Sequence, residues 1–111
     1  MMKSLFARKS LAVSAAADAM QDGAVMLDVR TRPEFKSGHI PGAHHISVQS
    51  LPQRLPQIAR RYENDRVLVI CQSGRRSSAA VRLLRAEGVD AINVTGGMAA
   101  WKRRGLPVRR G

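Results

Sequence analysis

Cysteine occurs once in this chain of 111 residues, at position 71. A lone thiol cannot close an internal disulfide, and without a C-x-x-C pair the sequence holds no familiar structural zinc motif. Cys71 is therefore either an ordinary buried apolar residue or a reactive one. Aromatic residues are also few, at 4% of the chain, which leaves little on which single-stranded nucleic acid could stack. No apolar run approaches the roughly 18 residues of a membrane span. No linker, low-complexity tract or fixed-period repeat divides the chain. Acidic residues number 8 against 19 basic ones, a formal net charge of +11. Such a balance favours anionic partners. The basic stretch WKRRGLPVRR near the C-terminus reads as solvated charge, so neither a nucleic-acid nor a membrane partner is expected.

What is present is enough apolar content, 44%, for a single domain over residues 1–111. The apolar residues fall in short runs. AVMLDV (24–29), RVLVIC (66–71), AINV (91–94) and the weaker AHHIS (43–47) have the length and β-branched content of strands buried on both faces. The spacing predicts helices over 14–22, 51–62, 77–87 and 98–104. In the second, Leu51, Leu55, Ile58, Ala59 and Tyr62 recur close to a 3.6 period. Pro52 suits its first turn, whereas Pro56 is expected to disturb its interior. Gly88 closes the third helix, and Gly105 with Pro107 closes the fourth. Strands alternating with helices imply an α/β fold with helices on both faces of a parallel sheet. Ligands bind such sheets at the carboxyl ends of the strands, and Cys71 lies at one.

Lys3, Arg8 and Lys9, followed by LAVSAAADA (11–19), weakly mimic a secretion signal with an A-x-A cleavage site. The apolar part is short and poor in Leu, Ile and Phe. The preferred reading is a strand over 11–13 and a helix capped by Ser14 and closed by Gly23, in a cytoplasmic protein.

The segment CQSGRRS gives the cysteine its setting. Gln72, Ser73, Gly74, Arg75 and Arg76 must turn sharply between the strand and a helix expected to begin near Ser77, and Gly74 permits a positive φ. Successive N–H groups in such a turn can form an anion nest. The helix adds the positive end of its dipole, and the two arginines add full charges. All of these favour a thiolate. A free cysteine, with a pKa near 8.5, is only about 3% ionised at pH 7; helix N-termini and cations lower that pKa to about 3.5–7.5. Spacing refines the chemistry. In C-x-x-G-x-R the arginine stands five positions after the cysteine. The phosphate loop of cysteine phosphatases has it six positions after, where this chain has Ser77. The shorter loop suits a sulfur atom better than a phosphoryl group.

With two further segments, this loop resembles the rhodanese family of sulfurtransferases. LDVRTRPEFKSGHIPGAHHI (27–46) is similar to the family's D-V-R-x-x-x-E-[FY]-x-x-G-H-I-x-G-A signature, and VTGGMAAW (94–101) to its closing G-G-x-x-x-W. The resemblance implies a three-layer fold around a five-stranded parallel sheet in the order 3-2-4-5-1. Cys71 would end the central strand, and Asp28 to Arg30 its neighbour. It implies two-step transfer without a cofactor: Cys71 takes sulfane sulfur from a small anionic donor such as thiosulfate, then passes it to cyanide or a thiol. No second cysteine resolves the persulfide, so the acceptor must be external; a monomer is expected. A persulfide carrier or docking module for a protein or tRNA partner is the alternative, and an arsenate reductase or phosphatase relative a more distant one.

Asp28, Arg30 and Glu34 read as scaffold, because transfer through a preformed thiolate needs little proton shuttling and buried charges are normally paired. Arg30 is expected to pair with a carboxylate such as Glu34; lining the mouth is its second reading. Arg76 is expected to reach back over the mouth toward the donor, and Arg75 to point to solvent. His39, His44 and His45 match no zinc spacing, so no metal is expected. Gly96 and Gly97 read as a tight turn against the cysteine loop, and Trp101 as core.

Overall fold

The computed structural model describes residues 10–111; Lys3, Arg8 and Lys9 lie outside them. Five strands, β1 (Ser10–Leu11), β2 (Val25–Asp28), β3 (His44–His45), β4 (Arg66–Ile70) and β5 (Asp90–Val94), alternate with five helices. These are α1 (Val13–Gln21), α2 (Arg32–Ser37), α3 (Leu51–Arg61), α4 (Arg75–Ala86) and α5 (Gly97–Arg103). Every strand pairing is parallel, and the sheet runs β1-β5-β4-β2-β3. Counted from the β3 edge this is the order 3-2-4-5-1. No helix among the described residues is long and apolar enough to cross a membrane.

The central strand shows why its sequence lacks alternation. Val67, Leu68, Val69 and Ile70 are all completely buried. Val67 and Val69 face one core with Leu27, Leu51, Ile58, Tyr62, Ala80 and Leu84. Leu68 and Ile70 face another with Met26, Ala16, Ile92, Met98 and Trp101. Each such aliphatic side chain contributes about 1.5–3 kcal/mol on burial. The register sets Asp28 beside both Ile70 and His45, and Val69 beside Asn93. The end of β2, the cysteine and the end of β5 thus meet at one carboxyl edge.

Several boundaries differ from expectation. β1 stops at Leu11 because Val13 already begins α1; the N-cap is Ala12, without a side-chain cap, so Ser14 is not the cap. β3 spans only two residues. α3 continues through Pro56, held by Leu51 and Ile58, which are buried on either side of it. α4 begins at Arg75 rather than near Ser77, because Gly74, with φ 104°, serves as its N-cap. α2 carried no periodic signal: none of its residues is buried. Its signal is the capping box T-R-P-E, in which Thr31 N–H donates to Glu34 Oε1 at 2.9 Å and Glu34 N–H to Thr31 Oγ1 at 3.4 Å.

Candidate functional site

Cys71 follows β4 directly and is 1% exposed. Gly74 N–H donates to its Sγ at 3.0 Å, and Ser77 Oγ lies 3.3 Å from the same sulfur. Burial pushes the thiol pKa up. Hydrogen bonds from the Ser77 side chain and from the N–H groups of Ser77, Gly74 and Ser73 outweigh burial and hold it below its ordinary value. The cradle is therefore made by backbone and one hydroxyl, with the arginines adding less than their sequence position suggests.

Two glycines allow this backbone path. Gly74 needs its left-handed φ more than it needs space, since a Cβ there would meet its nearest neighbour only at 3.6 Å. Gly97 needs both: its φ is 57°, and a Cβ would overlap the carbonyls of Cys71 and Gln72. The first turn of α5 is closed onto the loop, with Met98 N–H donating to Cys71 O at 2.8 Å and Ala99 N–H to Gln72 O at 3.1 Å. The G-G turn thus clamps the cysteine loop from behind, and Trp101, 2% exposed, anchors the helix that carries it.

Asn93 is a site residue that sequence reasoning missed. It accepts from Ser77 Oγ through Oδ1 and donates through Nδ2 to Gly74 O at 3.3 Å. In AINV it looks like one more strand residue; only the pairing of β4 with β5 places it beside the loop.

The charged residues pair differently from expectation. Arg30 binds Asp28, not Glu34: its Nε donates to the two carboxylate oxygens at 3.0 and 3.1 Å, and its Nη2 to Oδ2 at 2.8 Å. Nη2 also donates to Gly38 O at 2.7 Å. Arg30 and Asp28 are both buried, so Arg30 braces the end of β2 and does not line the mouth. Glu34 instead binds Arg76 in a bidentate pair, with N···O distances of 2.7 and 2.9 Å. Arg76 therefore does not reach over the mouth; it ties α4 to α2. The hydrogen bond from Arg76 holds the Glu34 carboxyl down at about 2. Arg75 is exposed, as are Gln72 and Ser73, while Ser77 is buried.

Each histidine is committed to a contact. His39 Nδ1 lies 2.8 Å from Phe35 O, His45 Nε2 2.7 Å from Arg30 O and His44 Nδ1 2.6 Å from Tyr62 OH. His39 and His45 also stack on Phe35, locking α2 to β3. Among the described residues, no three His, Cys, Asp or Glu side chains gather into a group that could hold a metal ion.

The family model for the rhodanese-like domain matches residues 12–104. Thiosulfate sulfurtransferase 16, chloroplastic, from Arabidopsis thaliana is 34% identical over 110 residues, covering 90% of this chain and 92% of that protein. A putative sulfur carrier protein from Bacillus subtilis is 40% identical over 77 residues, covering 68% of this chain and 40% of the relative. The chain spans less than half the length of that relative and of a Synechocystis protein that it also matches. The crystal structure of a rhodanese-related protein from Thermoplasma volcanium superposes with a TM-score of 0.84 at 28% identity, covering 93% of this chain and 99% of the other. A family model matched over most of the length and a relative 34% identical that is covered almost end to end lead to one conclusion: the chain belongs to the rhodanese-like family.

Proposed function

We propose that this protein is a sulfurtransferase in which Cys71 carries sulfane sulfur, as a persulfide, from a small anionic donor to an external thiophilic acceptor. The observation that carries this reading is the cradle of N–H groups around Sγ, with Gly74 N–H at 3.0 Å. It stabilises an anion on the one thiol the chain possesses. The Arabidopsis relative, named a thiosulfate sulfurtransferase, supports thiosulfate as the donor, with a small-molecule persulfide as the other candidate.

The first step is attack by the Cys71 thiolate on the outer sulfur of thiosulfate. A new S–S bond forms, the S–S bond of the donor breaks, and sulfite leaves with the electron pair. The negative charge then rests on the outer sulfur of Cys71–S–S⁻, within reach of the same loop. In the second step cyanide or a thiolate attacks that outer sulfur, and the thiolate of Cys71 departs and is regenerated. Charge and atoms balance in both steps, and neither needs a proton shuttle or a cofactor. Exposed Arg75 meets the incoming anion, while Gln72 and Ser73 form the open side of the loop. Ser77 stands where a cysteine phosphatase has its phosphate-binding arginine, which disfavours phosphoryl chemistry.

Thiocyanate formation from thiosulfate and cyanide tests the proposal. The wild type is expected to turn over, and Cys71→Ser to be inactive yet fold with an unchanged urea midpoint. Turnover by the serine variant near the wild-type rate, or hydrolysis of an aryl phosphate by the wild type in place of thiocyanate formation, would contradict it. The Bacillus relative named a putative sulfur carrier favours a second reading, in which the persulfide is delivered to a partner protein. Loading of Cys71 without multiple turnover on cyanide would point there.

A further inference from the structure

Ser77 Oγ carries one proton and stands between two acceptors, Asn93 Oδ1 at 2.5 Å and Cys71 Sγ at 3.3 Å. The other end of the Asn93 amide decides its orientation. Nδ2 lies 3.3 Å from Gly74 O, an atom that can only accept, so the NH₂ group belongs on that side and Oδ1 faces Ser77. An amide oxygen cannot donate. The Ser77 proton therefore points to Asn93, and Oγ turns a lone pair to the sulfur. This suits a protonated cysteine: S–H donates to Oγ, and O–H donates to Oδ1. A thiolate reverses the demand. Ser77 must swing its proton to Sγ, and Asn93 Oδ1 loses its donor.

The geometry points to Asn93 as a positioning residue that competes with the Cys71 thiolate for the single proton of Ser77. Once Sγ is bonded to a second sulfur, the charge sits on the outer atom. Sγ no longer calls for the proton, and Ser77 returns to Asn93. Asn93 therefore opposes the free thiolate and spares the persulfide, which biases the site toward its loaded form. The N–H groups of Ser73, Gly74 and Ser77 are fixed backbone and act on the sulfur whichever way the hydroxyl turns.

The charged groups around Cys71 come from three elements. α4 brings Arg76 and exposed Arg75, α2 brings Glu34, which is paired with Arg76, and β2 brings the buried Asp28–Arg30 pair. Asn93 on β5 and the Gly97–Met98 turn of α5 bring no charge. Replacing Asn93 by alanine thus leaves every ion pair near the sulfur in place.

The inference rests on Cys71 acting as a thiolate, but its test does not need sulfur transfer. Cys71 is the only cysteine, so the rate of alkylation by iodoacetamide, followed by protein mass against pH, reports it alone. Asn93→Ala is expected to move the inflection down by about half a pH unit, because Ser77 then serves the thiolate without giving up a partner. Asn93→Asp is expected to move it up, since a carboxylate holds the Ser77 proton more strongly and places like charge near the sulfur. In a Ser77→Ala background, Asn93→Ala is expected to produce no further displacement. A residue that only supported the loop would slacken the Gly74 N–H in both Asn93 variants and raise both inflections. Displacements of the same sign, or none for Asn93→Ala, would overturn the inference, and the two single variants decide it even if Ser77→Ala does not fold. A wild-type inflection at or above about 8.5 would instead count against the thiolate reading, and the displacement between variants is read separately from it.

Discussion

Three N–H groups and one hydroxyl face a sulfur that is 1% exposed. At this scale hydrogen bonds matter more than nearby full charge, because Arg76 spends its guanidinium on Glu34. The two arginines of the loop should therefore separate by role. Arg75→Ala is expected to lower kcat/KM for thiosulfate roughly three- to fivefold, the effect of one exposed charge at the mouth, and to leave the urea midpoint unchanged. Arg76→Ala is expected to lower the midpoint, because Glu34 loses its partner. Steady-state kinetics beside urea titrations check both, and full kcat/KM in Arg75→Ala would remove that residue from donor capture. The sequence made Cys71, Gly74 and Ser77 legible because they are neighbours in a short loop, where local backbone chemistry is all that is needed. The partners of Arg30 and Arg76, and the whole role of Asn93, were not legible. They depend on which strands and helices lie side by side, and a carboxylate six residues from Arg30's true partner looked equally plausible.

Between elements, the site is held by two joints. The first is the G-G turn of α5 against the cysteine loop. Gly97→Ala is expected to destabilise by about 2–4 kcal/mol, combining a left-handed φ with overlap onto two loop carbonyls. Gly88→Ala, equally left-handed at φ 87° but with nothing within 4 Å of the added carbon, should cost about 1–2 kcal/mol. Urea midpoints at constant slope measure both; equal losses would mean that Gly97 serves only its φ. The second joint is Glu34–Arg76. The Glu34 carboxyl sits at about 2 in the folded protein against 4.5 ordinarily. A depressed carboxylate contributes stability that is complete above the unfolded value and is lost as pH falls through the folded one. The contribution is therefore full above about pH 5 and fades toward pH 2. With side chains 37% and 34% exposed, solvent limits it to about 1 kcal/mol or less. Glu34→Gln should flatten that part of the acid profile of the urea midpoint, and a profile as steep as wild type would assign the acid sensitivity elsewhere. The helix that carries Glu34 escaped the periodicity argument because none of its residues is fully buried; its capping box was the available signal.

For the molecule as a whole, the sheet was legible where it is buried on both faces and faint at its edges. RVLVIC reads as a strand because every residue from Val67 to Ile70 is enclosed, whereas β1 and β3, two residues each, are too short to carry a period. Their places in the order came from the resemblance, not from pattern. The net charge of +11 bears on what the folded molecule attracts rather than on how it folds, and it suits an anionic donor. The sulfur-transfer reading as a whole stands on Cys71 forming a persulfide, and the intact mass of the protein after incubation with thiosulfate reports that directly. A gain of about 32 Da, one sulfur atom, is expected. It should be absent in Cys71→Ser and discharged by cyanide. An unchanged mass, or a gain of that size in the serine variant, would contradict it.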